Sequence, residues 1–125
     1  MRQSFDLPWT PVAKQRPRVG RGHAYTPQQT KNAEESLGWL LRAKGAQLYA
    51  REVPLSVRMV FRCGKGTGWR VARPDVDNLV KLVGDSANGI LWSDDAQIVE
   101  LHASKECGGP GLLLEVGPAE GWEKV

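Results

Sequence analysis

Between Arg73 and Leu101 the chain reads RPDVDNLVKLVGDSANGILWSDDAQIVEL, with aspartates at 75, 77, 85, 94 and 95 and a single lysine, Lys81, among them. Carboxylates at such short spacing are hard oxygen donors, and the first question is whether they share a cation. Pro74 disfavours helix at Arg73, so the chain should approach Asp75 extended. In an extended chain residues i and i+2 project to one side, about 7 Å apart. Asp75 and Asp77 can then address one small volume. Two anions held there repel, and one takes up a proton unless a cation lies between them. A hard divalent ion removes that conflict: Mg²⁺ takes one or two protein carboxylates together with water and phosphate oxygens. Mn²⁺ is the alternative ion.

Two plainer roles compete. Asp77 could cap a helix, an arrangement worth about 1 kcal/mol, and Asp75 could be a solvated turn residue. A calcium loop of the EF-hand type is excluded, because its fifth position would be Leu79 and no glycine follows at the sixth. Further along, Asp77, Lys81 and Asp85 succeed one another at i, i+4 and line one polar stripe of a helix. As surface pairing this contributes only about 0.3–0.5 kcal/mol per pair. Beside a metal, the lysine would instead contact a phosphate oxygen as a point charge. Asp94 and Asp95 follow Trp92 at the start of the next strand, where they could supply the remaining ligand.

The elements that must position these groups are legible from periodicity. A helix is predicted over about 77–88, with Leu79, Leu82, Val83, Ser86 and Ile90 along one side and Gly89 as its stop. An earlier helix is predicted to start near Thr26–Thr30 and to run to about Tyr49, with Ala33, Leu37, Leu40, Leu41 and Leu48 facing inward. The clearest strand is PLSVRMVFRC (54–63), which alternates Leu55, Val57, Met59, Phe61 and Cys63 against polar partners. SFDLPW (4–9) forms a first strand stopped by Pro8 and Pro11. VAKQRPRVGRGHAYTP (12–27) reads as an extended loop or irregular hairpin. GKGTGWRVARP (64–74) reads as a mobile basic loop, since it lacks the phosphate-loop spacing that its glycines suggest. AQIVELHASKE (96–106), a CGGPG turn and LLLEVGP (112–118) read as strand, turn, strand. The expected fold is α+β: a small, mostly antiparallel or mixed sheet with two helices packed on it, in one domain spanning 1–125.

Charge is unevenly distributed. Residues 1–73 hold 14 Lys/Arg against 4 Asp/Glu, while residues 74–125 hold 3 against 10, for a net +3. A basic surface for a polyanion beside a local acidic site fits that division. Cys63 and Cys107 fall in no metal-binding spacing and read as reduced thiols in a cytoplasmic setting. No apolar run reaches the roughly 18 residues of a membrane span, and the N-terminus lacks a signal-peptide core. No membrane association is expected.

The 73–101 segment resembles the signature of the RusA-like endodeoxyribonucleases, the Holliday junction resolvases of bacteria and their prophages. The resemblance rests on D-x-D-N-L, a lysine four residues after the second Asp, an Asp four further on, and W-x-D-D-x-Q-[IV]. AKQRPRVGRGHAYTPQQT (13–30) is similar to the K-x-R-P-R…Y-T-P-x-x-T stretch of the same family. The resemblance implies a RusA-like fold and a homodimer. It implies Asp75, Asp77 and Asp95 as metal-binding catalytic residues and Lys81 as the essential lysine, with Asp85 and Asp94 in support. Phosphodiester cleavage at a four-way junction or other branched DNA, in recombination and repair, is the activity expected. A flap or fork nuclease and a junction-binding protein without catalysis are the alternatives. Lys14, Arg16, Arg18, Arg21, Lys65, Arg70 and Arg73 are the candidate contacts to flanking phosphates.

Overall fold

The computed structural model describes residues 1–11, 18–20, 23–25 and 28–121, with the backbone alone for 18–20, 23–25 and Gln29. Strand β1 (Gln3–Leu7) stops at Pro8, as expected, and buries Phe5 and Leu7. β2 (Arg18–Gly20) and β3 (His23–Tyr25) pair antiparallel as the irregular hairpin. Helix α1 (Gln28–Ala43) follows, then β4 (Leu55–Arg62), α2 (Val76–Ser86), a 3-10 turn (Asp95–Gln97), β5 (Ile98–Glu106) and β6 (Gly111–Pro118).

Four of these strands form one mixed sheet in the order β1-β6-β4-β5. β4 runs parallel to β5 and antiparallel to β6, and β1 runs antiparallel to β6. A parallel pair cannot be closed by a hairpin and needs a long crossover. Here the crossover is residues 63–97, and it carries α2 and both acidic groups. The turn after β5 is where the sequence puts it, but the strands it joins do not pair. Residues 107–110 step over the end of β4, which lies between them.

Alternation decides the faces. Leu55, Val57, Met59 and Phe61 of β4 and Leu112, Leu114 and Val116 of β6 are buried on one side, where Leu37 and Leu41 of α1 and Leu79, Leu82 and Val83 of α2 complete the core. The opposite face is polar, with ion pairs Arg58–Glu115 and Arg62–Asp6, each at 2.8 Å.

Helix α1 ends earlier than its apolar pattern predicts. Gly45 takes φ +80°, its N–H donates to Arg42 and the Ala46 N–H donates to Leu41. Those paired bonds are a Schellman termination, which a glycine in left-handed conformation favours. Leu48 therefore lies outside the helix and is exposed, while Tyr49 turns back to donate its hydroxyl to the Val116 carbonyl at 3.1 Å.

The 64–74 loop also differs from its prediction. Gly64, Gly66 and Gly68 all have positive φ, so they shape a path rather than supply slack. That path is bonded to β5 and its end: Arg70 N–H to the Lys105 carbonyl at 3.2 Å, Cys107 N–H to Gly68 at 2.8 Å, and Gly108 N–H to Gly64 at 3.3 Å.

Candidate active site

Helix α2 begins at Val76, one residue before the predicted start. Asp75 is its N-cap position, extended at φ −74° and ψ 142°, and Asp77 already lies in the first helical turn. The i, i+2 argument for a shared face thus fails, because only the first of the two is extended. Both acids belong to the start of the helix. Asp75 makes no side-chain cap hydrogen bond. Both residues are exposed.

The inner face of α2 is as the periodicity requires, with Leu79, Leu82, Val83, Gly84 and Ser86 buried. Ser86 donates its hydroxyl to the Leu82 carbonyl at 2.7 Å, which satisfies it inside the core. Lys81 stands on the outer side, its side chain 60% exposed. Its Nζ lies 3.7 Å from Asp85 Oδ1 and 3.8 Å from Asp95 Oδ2. The polar stripe is therefore real, and Lys81 links it to the acidic pair that precedes β5.

Trp92 explains why that pair stands there. Its indole is fully buried and donates Nε1–H to the Gly84 carbonyl at 3.1 Å. This draws the 92–95 turn against the third turn of α2. Gly84 leaves room for the approach: a Cβ there would stand 3.1 Å from Asp95 Oδ2. Asp94 caps the 3-10 turn by accepting from Ala96 N–H at 3.3 Å. Gln97 closes the same loop, accepting from Ser93 N–H at 2.7 Å and donating Nε2 to the Ala50 and Val53 carbonyls at 2.9 and 3.1 Å. Gln97 belongs to the W-x-D-D-x-Q run, and its role as the loop's fastener was not legible from spacing.

Electrostatics separate the two adjacent acids. The Ala96 N–H, and next a hydrogen bond shared with Asp95, hold Asp94 below the usual carboxylate range. Burial, and next that same shared bond, push Asp95 up against the opposing charge of Lys81. An opposite charge brought near two adjacent carboxylates favours their ionised form.

The donor chemistry at 75, 77, 94 and 95 is all carboxylate oxygen and suits a hard divalent ion. Among the described residues, however, no three such side chains are arranged as a ready metal cage. Asp95 meets α2 at Gly84, seven residues beyond Asp77, or about 10 Å along the helix axis at 1.5 Å per residue. The structure thus gathers Lys81, Asp85 and Asp95, with Asp94 alongside, and leaves Asp75 and Asp77 at the head of the same helix.

Of the basic residues singled out in the sequence, Lys14, Arg16 and Arg21 lie outside the described residues, and only the backbone of Arg18 is described, paired with Tyr25. Lys65 and Arg73 are exposed. Arg70 turns inward instead, donating Nε and Nη2 to the Arg73 carbonyl at 3.0 and 2.5 Å. Cys63 and Cys107 are free thiols. Burial pushes the Cys63 thiol up against the nearby charges of Arg70 and Lys105. No helix among the described residues is long and apolar enough to cross a membrane.

The chain is similar to known proteins. Over 72 residues the chain is 33% identical to the crossover junction endodeoxyribonuclease rusA of Lactococcus phage r1t, covering 53% of this chain and 55% of that protein. Over 55 residues it is 38% identical to the uncharacterised protein YqaN of Bacillus subtilis (strain 168), covering 44% of this chain and 39% of that protein. The matches thus span about half the length, or less, of these relatives. The family model for endodeoxyribonuclease RusA matches residues 8–117, from just before Trp9 to the end of β6, so the chain belongs to the RusA endodeoxyribonuclease family.

Proposed function

We propose that this protein is a divalent-metal-dependent endonuclease that resolves Holliday junctions by paired phosphodiester cleavage, acting as a homodimer in DNA recombination and repair. The observation that carries the proposal is the meeting of Lys81 with Asp95 on the helix whose head bears Asp75 and Asp77. Capping, the plainest alternative for these acids, does not account for them. Asp77 lies past the cap position, and the Asp75 carboxyl makes no cap bond.

In this reading Asp75 and Asp77 at the helix head and Asp95, which meets α2 about 10 Å further along, would together hold Mg²⁺ or Mn²⁺, which requires their carboxylates to converge when the ion binds. Such an ion would lower the pKa of a bound water and stabilise the leaving oxygen of an in-line displacement. The protein's own part is orientation and charge. Lys81 has a flexible stem and an exposed ammonium, so it can pass from Asp95 to a non-bridging oxygen of the scissile phosphate, where it offsets developing negative charge. Asp85 lies one helical turn further on and keeps the lysine on the outer stripe when no phosphate is present. The exposed Lys65 and Arg73, together with Lys14, Arg16, Arg18 and Arg21, are the candidate contacts to the phosphates of the duplex arms. Such contacts position the junction without reading its sequence. Two cuts in opposed strands need two such sites, which a two-fold pair of chains supplies.

The test is cleavage of a synthetic four-way junction, with flaps and forks assayed beside it, in the presence and absence of Mg²⁺. Paired nicks near the crossover that require the metal, and that Asp75→Asn abolishes while junction binding persists, are the expected result. Metal-independent binding without nicks, or equal cutting by Asp75→Asn, overturns the proposal.

A further inference from the structure

Lys105, on β5, has no part in the roles set out above. Its Nζ donates to the carbonyls of Ala72 at 2.7 Å and Pro74 at 2.6 Å. Between those two, the Arg73 carbonyl accepts from Arg70 Nε and Nη2. Three successive carbonyls on the path to Asp75 therefore each accept from a cationic side chain. The next carbonyl, that of Asp75, takes the Leu79 N–H at 3.1 Å as the first bond of α2. Hydrogen bonds from a charged donor are roughly twice as strong as neutral ones, so this stretch of main chain is firmly tied to the sheet.

The surroundings are shaped for it. Arg70 is itself bonded to β5, through its N–H to the Lys105 carbonyl at 3.2 Å. A Cβ on Gly64 would stand 2.3 Å from Arg70 Nη1, so the guanidinium packs directly over Gly64. The Asp75 side chain makes no cap bond that could locate it from the helix side. Its position is then set by the main chain behind it, and that main chain is set by Lys105 and Arg70.

We propose that Lys105 is a positioning residue for Asp75: its ammonium fastens the 72–74 main chain to β5 and thereby fixes where the Asp75 carboxylate stands. The inference rests on the reading of Asp75 as a metal ligand. Lys105 touches neither substrate nor ion. It acts as the outer support of a ligand, a kind of contact whose loss typically costs about ten- to a hundredfold in metal affinity or activity.

The test compares the full-length chain with Lys105→Met, which keeps the length of the side chain but removes its donors, and with Lys105→Arg, which keeps charge and donors. In Lys105→Met, amide hydrogen exchange should quicken across 72–79 while the remaining sheet stays protected. Mn²⁺ binding, followed by its electron paramagnetic resonance signal, should weaken about tenfold. Cleavage should lose about ten- to a hundredfold in kcat with KM for the junction little changed. Lys105→Arg should restore the larger part of all three. Wild-type exchange at 72–79 in Lys105→Met overturns the proposal, as does a loss spread evenly over the sheet that Lys105→Arg leaves unrepaired. Asp75→Asn, measured in parallel, keeps the two readings apart. If it binds Mn²⁺ as the wild type does, the ligand role of Asp75 falls, and exchange at 72–79 alone decides whether Lys105 fixes that segment.

Discussion

Asp75 and Asp77 stand at the head of α2 on a main chain tied down by Arg70 and Lys105, with their side chains exposed. Asp94 and Asp95 stand against the third turn of the same helix with their carboxyls already engaged, by Ala96 N–H, by each other and by Lys81. One pair is located through its backbone and the other through its side chains. The difference teaches where each should be sensitive. A backbone-located acid tolerates change around its carboxyl but not in the loop behind it. A side-chain-located acid depends on every neighbour its carboxyl meets.

The sharpest way to break this comparison is to separate the two adjacent acids. Asp95→Asn should reduce the cleavage rate by about three orders of magnitude, since a metal supplies several kcal/mol of transition-state stabilisation. Asp94→Ala should cost less than about tenfold, the loss of a cap that is worth on the order of 1 kcal/mol. Equal losses in single-turnover assays would mean that the two act as one ligand pair. Next in size is Lys81→Met, which should lower kcat by about 10²–10³ with KM for the junction little changed. A change confined to KM would make Lys81 a binding residue only.

Gly84→Ala probes the contact between Asp95 and the helix. The added methyl would meet Asp95 Oδ2 at 3.1 Å and push the carboxyl aside by a few tenths of an ångström. A full ångström of misplacement costs on the order of 10²-fold, so a loss of about tenfold is expected. The melting temperature should hold or rise, because alanine favours helix over glycine by about 1 kcal/mol. A fall in both would mean that Gly84 serves packing alone.

The smallest effect is on stability. Asp95 has its pKa raised in the folded chain, so the fold holds this proton more tightly than the unfolded chain does. Its contribution is present below the ordinary aspartate range and is lost as pH rises through the raised value. In metal-free protein Asp95→Asn should therefore melt above the wild type at neutral pH, with the gap closing in acid. A lower melting temperature at neutral pH would show that the Lys81 pair outweighs burial.

Much of the site could be read from residue type and spacing. The i, i+4 run of Asp77, Lys81 and Asp85 requires only a helix, and the apolar positions between them require it too. Lys81 reaching Asp95 was within reach of the motif but not of periodicity, since it depends on how Trp92 seats beneath α2. The helix end at Gly45 is hidden from periodicity because the apolar pattern continues past it to Leu48, and the local Schellman bonds win. In sequence alone the glycines of 64–68 read as slack, whereas positive φ with bonds to the end of β5 makes them a shaped path. Lys105 carried no signal at all. Its importance arises from where β5 passes, and contacts across some thirty residues of sequence leave no local pattern.

The insertion of β4 between β5 and β6 bears on how the molecule is made. β1, at Gln3–Leu7, finds its sheet neighbour only in β6, at Gly111–Pro118, more than a hundred positions later. Both strands that flank β4 also come after it. Long-range pairings of this kind slow folding, because the loop must close before any contact rewards it. A ribosome-bound chain ending before β6 would hold every aspartate discussed above yet have no finished sheet to carry them, so the scaffold that places these acids arrives with β6 and not before.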